Sequence, residues 1–338
     1  MRVPVDRLWY GKSRPLWPLY PLTWLYRSIA DHRRRAAWAA MYSPIPVPVI
    51  VVGNITAGGT GKSPLTAMLA QLLKQKGWRP VILTRGYGGK SDHYPLQVLP
   101  DTRAVEAGDE PVMLSAQAGC PVVVDPQRRR GALWALENSL GNIMLCDDGL
   151  QHYQLPRDIE LAVFDGQRGL GNGALIPVGP LRELPQRLES VDFVITNGGW
   201  LSDLNHEQQY TMTLVPTGIR HLNTGRILPL AEINGKNVMA VAGIGNPARF
   251  FDTLRSLGAQ VTERAFPDHH QFRAEDLECD AGQWLLMTAK DAVKCPEIAT
   301  ENAWVLDVEA QLPTEFSEAF WSAVNASGKP LAAEPEKT

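Results

Sequence analysis

The chain has 338 residues, 44% hydrophobic and 20% charged, with a net charge of −3 at neutral pH. That length holds two domains of ordinary size with real cores. Its four cysteines, Cys120, Cys146, Cys279 and Cys295, form no CxxC pair, which argues against a zinc ribbon or disulfide framework and fits a reducing compartment.

The charge is unevenly spread. Residues 1–50 hold eight Lys/Arg against Asp6 and Asp31, a net +6, which leaves −9 for the rest. The same stretch contains Trp9, Trp17, Trp24 and Trp38, with Tyr10, Tyr20, Tyr26 and Tyr42. Alternating cationic, aromatic and apolar residues predict a segment lying in a membrane interface over 1–42 and attracted to anionic lipid. The charges exclude a spanning helix there, and interrupting prolines and arginines argue against a cleavable signal peptide. The competing reading is a helix that packs its aromatics on the protein's own core. Nucleic acid is a poor partner for so acidic a body.

Next comes the most informative segment. The β-branched run Val49–Val52 ends in Gly53, and a loop follows: Thr56-Ala57-Gly58-Gly59-Thr60-Gly61-Lys62-Ser63. An amphipathic pattern (Leu65, Met68, Leu69, Leu72, Leu73) begins at once. Strand, glycine-rich loop and helix start are the order of a P-loop, where loop amides and the helix dipole hold phosphates. Lys62 can reach those phosphates and Ser63 can coordinate Mg²⁺. Thr56 replaces the usual first glycine, with Gly58 and Gly59 supplying the loop's freedom.

Further elements alternate. Strands are expected at 79–83, 121–124, 143–146, 161–164 and 193–196, with helices over 108–118 and 131–138, and residues 90–105 as a polar excursion. The pattern restarts near Gly225, with strands at 238–242, 260–262, 284–287 and 304–308 and a helix carrying Phe250, Phe251, Leu254 and Leu257. The expected fold is α/β: two Rossmann-like α/β/α domains with mostly parallel sheets. The expected division is a P-loop domain over 43–225, a smaller domain over 226–328 and a disordered tail over 329–338.

A P-loop needs an acidic group at the end of a neighbouring strand to complete the Mg²⁺ shell. Asp147 and Asp148 follow an apolar strand and meet that need. His152, four residues beyond Asp148, could orient a carboxylate or a phosphate. Asp109, in Gly108-Asp109-Glu110-Pro111, is a helix N-cap or a base. His269 and His270 follow Asp268 between strands, where a base-orienting role is easier to defend than metal binding. Arg182 could grip a phosphate bidentately, and Lys290 sits in a similar loop. Either could equally form a surface ion pair.

Together these motifs resemble the tetraacyldisaccharide 4′-kinase family. The resemblance is carried by Thr56–Pro64, Thr84-Arg85-Gly86-Tyr87-Gly88-Gly89, Gly108–Pro111, Asp147-Asp148-Gly149-Leu150-Gln151-His152, Gly179–Glu183, Phe266-Pro267-Asp268-His269-His270 and Thr288–Lys294. It implies ATP- and Mg²⁺-dependent phosphorylation of the 4′-hydroxyl of a lipid A precursor disaccharide, at the cytoplasmic face of the bacterial inner membrane, with no obligatory protein partner. It further implies that Asp109 accepts the hydroxyl proton with help from His269 or His270. Lys62 and the loop would hold ATP, and Ser63, Asp147 and Asp148 the metal. Arg85, Tyr87, Glu110, His152 and Arg182 would line the acceptor site. Leu150 stands where an aromatic residue is expected in many relatives, a packing change. The alternative is a membrane-associated partition ATPase, whose loop carries a signature lysine where Ala57 stands here.

Overall fold

A computed structural model describes residues 5–11, 17–40 and 42–329. Residues 1–4, 12–16 and 41 of the expected interface segment, and 330–338 of the expected tail, lie outside the described residues.

The chain opens with α1 (Val5–Trp9) and α2 (Tyr20–Ala39). The P-loop region follows as β1 (Val49–Gly53), α3 (Lys62–Gln75), β2 (Pro80–Thr84), β3 (Leu96–Gln97), α4 (Ala104–Ala107), α5 (Asp109–Ala118) and β4 (Val122–Val124). Then come α6 (Arg128–Glu137), β5 (Ile143–Asp147), β6 (Ile159–Asp165), β7 (Phe193–Asn197), β8 (Gln209–His221) and β9 (Ile227–Leu228). The last part comprises β10 (Asn237–Ala242), α7 (Pro247–Ser256), β11 (Gln260–Ala265), β12 (Trp284–Thr288), α8 (Ala289–Ala292), β13 (Ala303–Gln311) and α9 (Thr314–Ala326).

Among the described residues all the strands join one sheet in the order β11-β10-β12-β13-β8-β7-β6-β1-β5-β2-β4-β3, with β9 on β8. The ladders from β4 to β8 are parallel, as are those from β11 to β13. Long strand β8 pairs parallel with β7 at its start and antiparallel with β13 thereafter, so the two parallel regions meet through one shared strand. The ladder shifts register between Asp307 and Val308, opposite Pro216–Gly218, where proline offers no N–H.

Strands β1, β2, β5, β6 and β7 are buried along their whole length, because helices cover both faces. On one face Leu65, Leu69 and Leu73 of α3 pack with Leu114 of α5 and with Phe316, Phe320 and Val324 of α9. Helix α9 therefore returns to the first half of the chain. On the other face Leu150 and Leu155 join Ala132 and Ala135 of α6. Leu150 also fits against Gly53, where a Cβ would come within 2.7 Å of its Cγ.

The N-terminal arm divides its surface. Thr23 and Ala37 of α2 are buried, Tyr26 donates to the Arg182 carbonyl (3.1 Å), and Trp9 Nε1 donates to the Pro177 carbonyl (3.1 Å). Leu22, Trp24, Leu25 and Ile29 are instead 51%, 70%, 57% and 46% exposed. No described helix is long and apolar enough to cross a membrane.

Candidate active site

The site lies at the carboxyl ends of β1, β5 and β2. Parallel pairing sets Val52 beside Asp147, which brings the P-loop and the acidic pair to one edge of the sheet. The loop between β1 and α3 is held in place by several neighbours. Asn54 Nδ2 donates to the Gly58 carbonyl (3.2 Å), the Ala57 amide to Pro180 (2.7 Å), and Asn197 Nδ2 to Thr60 (3.1 Å). Thr56 is buried and forms an isolated bridge with Leu181. Gly61 caps α3 with φ 95°, and a Cβ there would fall 2.5 Å from Asn197 Nδ2. Both the dihedral and the space require glycine.

Ser63 Oγ lies 3.3 Å from Asp147 Oδ2, and Thr66 Oγ1 donates to Asp147 Oδ1 at 3.1 Å. Burial, reinforced by the charge of Glu110 and opposed by Lys62, pushes the Asp147 carboxyl up to about 7. Asp148 turns the other way, in the left-handed region at φ 51°. Its carboxylate pairs with Lys62 (3.4 Å) and Arg182 (3.1 Å). Burial would raise its pKa, but these two cations hold it far below the ordinary carboxylate value. Adjacent acids thus occupy opposite electrostatic states. A hydroxyl and two carboxylates are hard oxygen donors that suit Mg²⁺, which typically takes one or two carboxylates plus phosphate and water.

Across from the P-loop, Asp109 begins α5 and is 5% exposed. Gly108 before it has φ 96°, and a Cβ there would lie 2.7 Å from the Tyr87 carbonyl, so the two glycine-bearing motifs pack backbone to backbone. His269 Nδ1 lies 3.0 Å and 3.2 Å from the two Asp109 oxygens. Burial opposes ionisation of Asp109, yet the His269 hydrogen bond and the nearby Lys290 and Lys294 charges lower its pKa. The same bond raises that of His269, against burial and the Lys290 charge. Tyr87 is exposed, with its ring 4.8 Å from that of His269. His269 has φ 61°, a left-handed backbone at a second site residue.

Of the two histidines, His269 is the one that reaches Asp109. His270 turns away: its Nε2 meets Asp276 at 3.0 Å and its ring stacks on Phe266 at 4.4 Å. His152 lies near Arg128 and Arg85, and burial together with those charges pushes it down to about 3, so it is a neutral ring at physiological pH. Arg85 is exposed. Glu110 contacts Lys290 rather than the P-loop.

The second half closes on this site. A Cβ on Gly245 would lie 3.2 Å from the Gly59 amide and 3.8 Å from Asp268 Oδ2. Arg168 Nη2 bridges to the Gly245 carbonyl (3.2 Å).

A family model for tetraacyldisaccharide-1-P 4′-kinase matches residues 15–325. The chain belongs to that family. A curated tetraacyldisaccharide 4′-kinase of Legionella pneumophila (strain Corby) is 43% identical over 324 residues, covering 96% of this chain and 98% of the relative. One from Tolumonas auensis is 44% identical over 317 residues, covering 93% and 95%. The fold is shared with a crystal structure of LpxK from Aquifex aeolicus in complex with ATP, at TM-score 0.74 and 27% identity, covering 91% of this chain and 98% of that one.

Several further groups at the site of this family member had no role assigned from sequence, although Gly179–Glu183 and Thr288–Lys294 stood out as motifs. Glu183 is buried and accepts from Gln151 Nε2 at 2.7 Å. Tyr10 donates to the Ala57 carbonyl at 3.1 Å, tying the N-terminal arm to the P-loop. Thr288-Ala289-Lys290-Asp291 is a small capping structure. Thr288 Oγ1 accepts from the Asp291 amide (3.2 Å), and buried Asp291 gathers Thr288 Oγ1, the Gly243 amide and Lys294 Nζ. A threonine followed three residues later by an aspartate is the sequence signal of this cap.

Proposed function

We propose that this protein transfers the γ-phosphoryl group of ATP to the 4′-hydroxyl of a tetraacyldisaccharide 1-phosphate, the lipid A precursor. The observation that carries the reading is the junction of Ser63 with Asp147 and of Lys62 with Asp148, with Asp109–His269 on the facing wall. Phosphoryl transfer depends on positioning and charge neutralisation. In this reading Lys62 and the amides of residues 56–63 hold the phosphates. Ser63, Asp147 and Asp148 would hold Mg²⁺, which when bound neutralises charge on the phosphate oxygens. Asp109, ionised because its neighbours lower its pKa, accepts the proton of the attacking hydroxyl, and His269 holds it in place. Arg85, Tyr87, Glu110, His152 and Arg182 are assigned to the acceptor side.

The acceptor's acyl chains hold it in a bilayer, each buried methylene contributing about 0.8 kcal/mol. The exposed Leu22, Trp24, Leu25 and Ile29, with Arg27, Arg33 and Arg35 on the same helix, support peripheral docking of α2 on the anionic cytoplasmic leaflet of the inner membrane. The deciding assay uses radiolabelled ATP and disaccharide acceptors with and without acyl chains. Label incorporated at the 4′ position is expected. ATP hydrolysis with no acceptor requirement would overturn the reading.

A further inference from the structure

Lys290 sits on α8, and its side chain is 15% exposed. Its ammonium group has three N–H donors, and three acceptors surround it. These are Glu110 Oε1 at 3.0 Å, Asp268 Oδ1 at 3.1 Å and His269 Nε2 at 3.5 Å. Glu110 belongs to the first half of the chain and the other two to the second, so one cation joins both walls of the cleft. The support beneath it is rigid, because Thr288 and Asp291 lock the turn that carries it.

The contact to His269 has a chemical consequence. A neutral imidazole has one N–H and one lone pair. Nδ1 lies 3.0 Å from the Asp109 carboxylate, whereas Nε2 lies nearer the Lys290 ammonium (3.5 Å) than the Asp268 carboxylate (3.8 Å), so the geometry favours the proton on Nδ1. The other tautomer would aim a lone pair at a carboxylate and an N–H at a cation. We propose that Lys290 is a positioning residue that fixes His269 as the Nδ1–H tautomer, making it a permanent donor to Asp109 and closing Nε2 to proton relay. This rests on the reading of Asp109 as the proton acceptor. The proton taken from the sugar hydroxyl stops on Asp109 and is not handed to the ring.

The charged and titratable groups around His269 are Asp109 and Glu110 from α5, Tyr87 from the loop after β2, its neighbour Asp268, and Lys290; Lys294 adds its charge at Asp109. Asp109 raises the imidazole pKa and Lys290 lowers it, while the Lys290 charge also lowers that of Asp109. Removing Lys290 therefore moves both groups upward.

Two measurements test this. The first is the ¹⁵N spectrum of the His269 ring in the unaltered enzyme, read in its neutral form. A protonated Nδ1 is expected, and a protonated Nε2 overturns the proposal whatever the role of Asp109 in turnover. The second compares Lys290→Met with Lys290→Arg. In Lys290→Met, kcat is expected to fall about tenfold or more and the acid limb of the kcat/KM profile to move to higher pH, with KM for MgATP within about twofold. Lys290→Arg, which keeps the charge, is expected to return the acid limb to its original position. A Lys290→Met enzyme that binds ATP and shows an unmoved acid limb overturns the proposal. If Asp109→Asn retained full turnover, the base assignment would fail, while the ring spectrum would still report on Lys290.

Discussion

Asp109 and His269 stand 160 positions apart in sequence and meet at 3.0 Å, one from the start of α5 and one from a loop of the second half. The first prediction follows from that pairing. Asp109→Asn keeps the shape and removes the base, so kcat should fall by about 10²–10⁴, the usual worth of a positioned base. ATP affinity, measured by calorimetry, should stay near the original value. Near-normal turnover would remove Asp109 from the mechanism.

The same pair should shape stability against pH. Asp109 has a lowered pKa, so its contribution is present above the ordinary carboxylate value and is lost as pH falls through its folded value. His269 has a raised pKa, so its contribution is complete below the ordinary imidazole value and is lost as pH rises through its folded value. The stability difference between the original chain and His269→Gln should therefore peak between about pH 4 and 6.5 and shrink on either side. Urea midpoints across that range measure it. A difference that keeps growing above pH 8 would contradict the sign.

Asp147 offers a trade between stability and chemistry. Burial pushes its carboxyl up to about 7, so at pH 8 the fold holds a buried ionised acid. Asp147→Asn removes that charge, leaves an amide oxygen for one of the Ser63 and Thr66 hydroxyls and offers an N–H to the other. The melting temperature of the nucleotide-free protein at pH 8 should rise, while Mg²⁺-dependent turnover falls by about 10² or more. A variant with lower stability and intact turnover would reverse both assignments.

For the arm, Trp24 and Leu25 are 70% and 57% exposed, so replacing both with serine removes apolar area without opening the core. Binding to anionic vesicles should weaken about tenfold or more, since each methylene contributes about 0.8 kcal/mol when buried in lipid. Turnover of a short-chain acceptor in detergent should be unaffected. Equal sedimentation with vesicles before and after the change would rule out this face.

Much of the fold could be read from sequence because fully buried parallel strands show as continuous apolar runs; Val49–Val52 and Ile143–Cys146 are examples, and the P-loop announced its own helix. Strand β8 escaped notice because Pro216 and Gly218 interrupt its alternation, and its ladders with β7, β9 and β13, the last bulged at that point, make the segment a strand. Helix α9 was missed since its Phe316, Phe320 and Val324 stripe is short and packs on elements more than a hundred residues earlier. At the site, residue types were informative and side-chain directions were not. Sequence named His269 and His270 together; one points at Asp109 and the other at Asp276. Lys290 looked like any loop cation until its three partners were brought around it.

The return of α9 also bears on synthesis. Phe316, Phe320 and Val324 share a core with Leu65, Leu69 and Leu73 of the helix that follows the P-loop. As the chain leaves the ribosome, α3 and α5 are made long before α9, so the part of that face which α9 covers stays open until α9 has emerged. A core begun by α3 is thus completed only when α9 arrives.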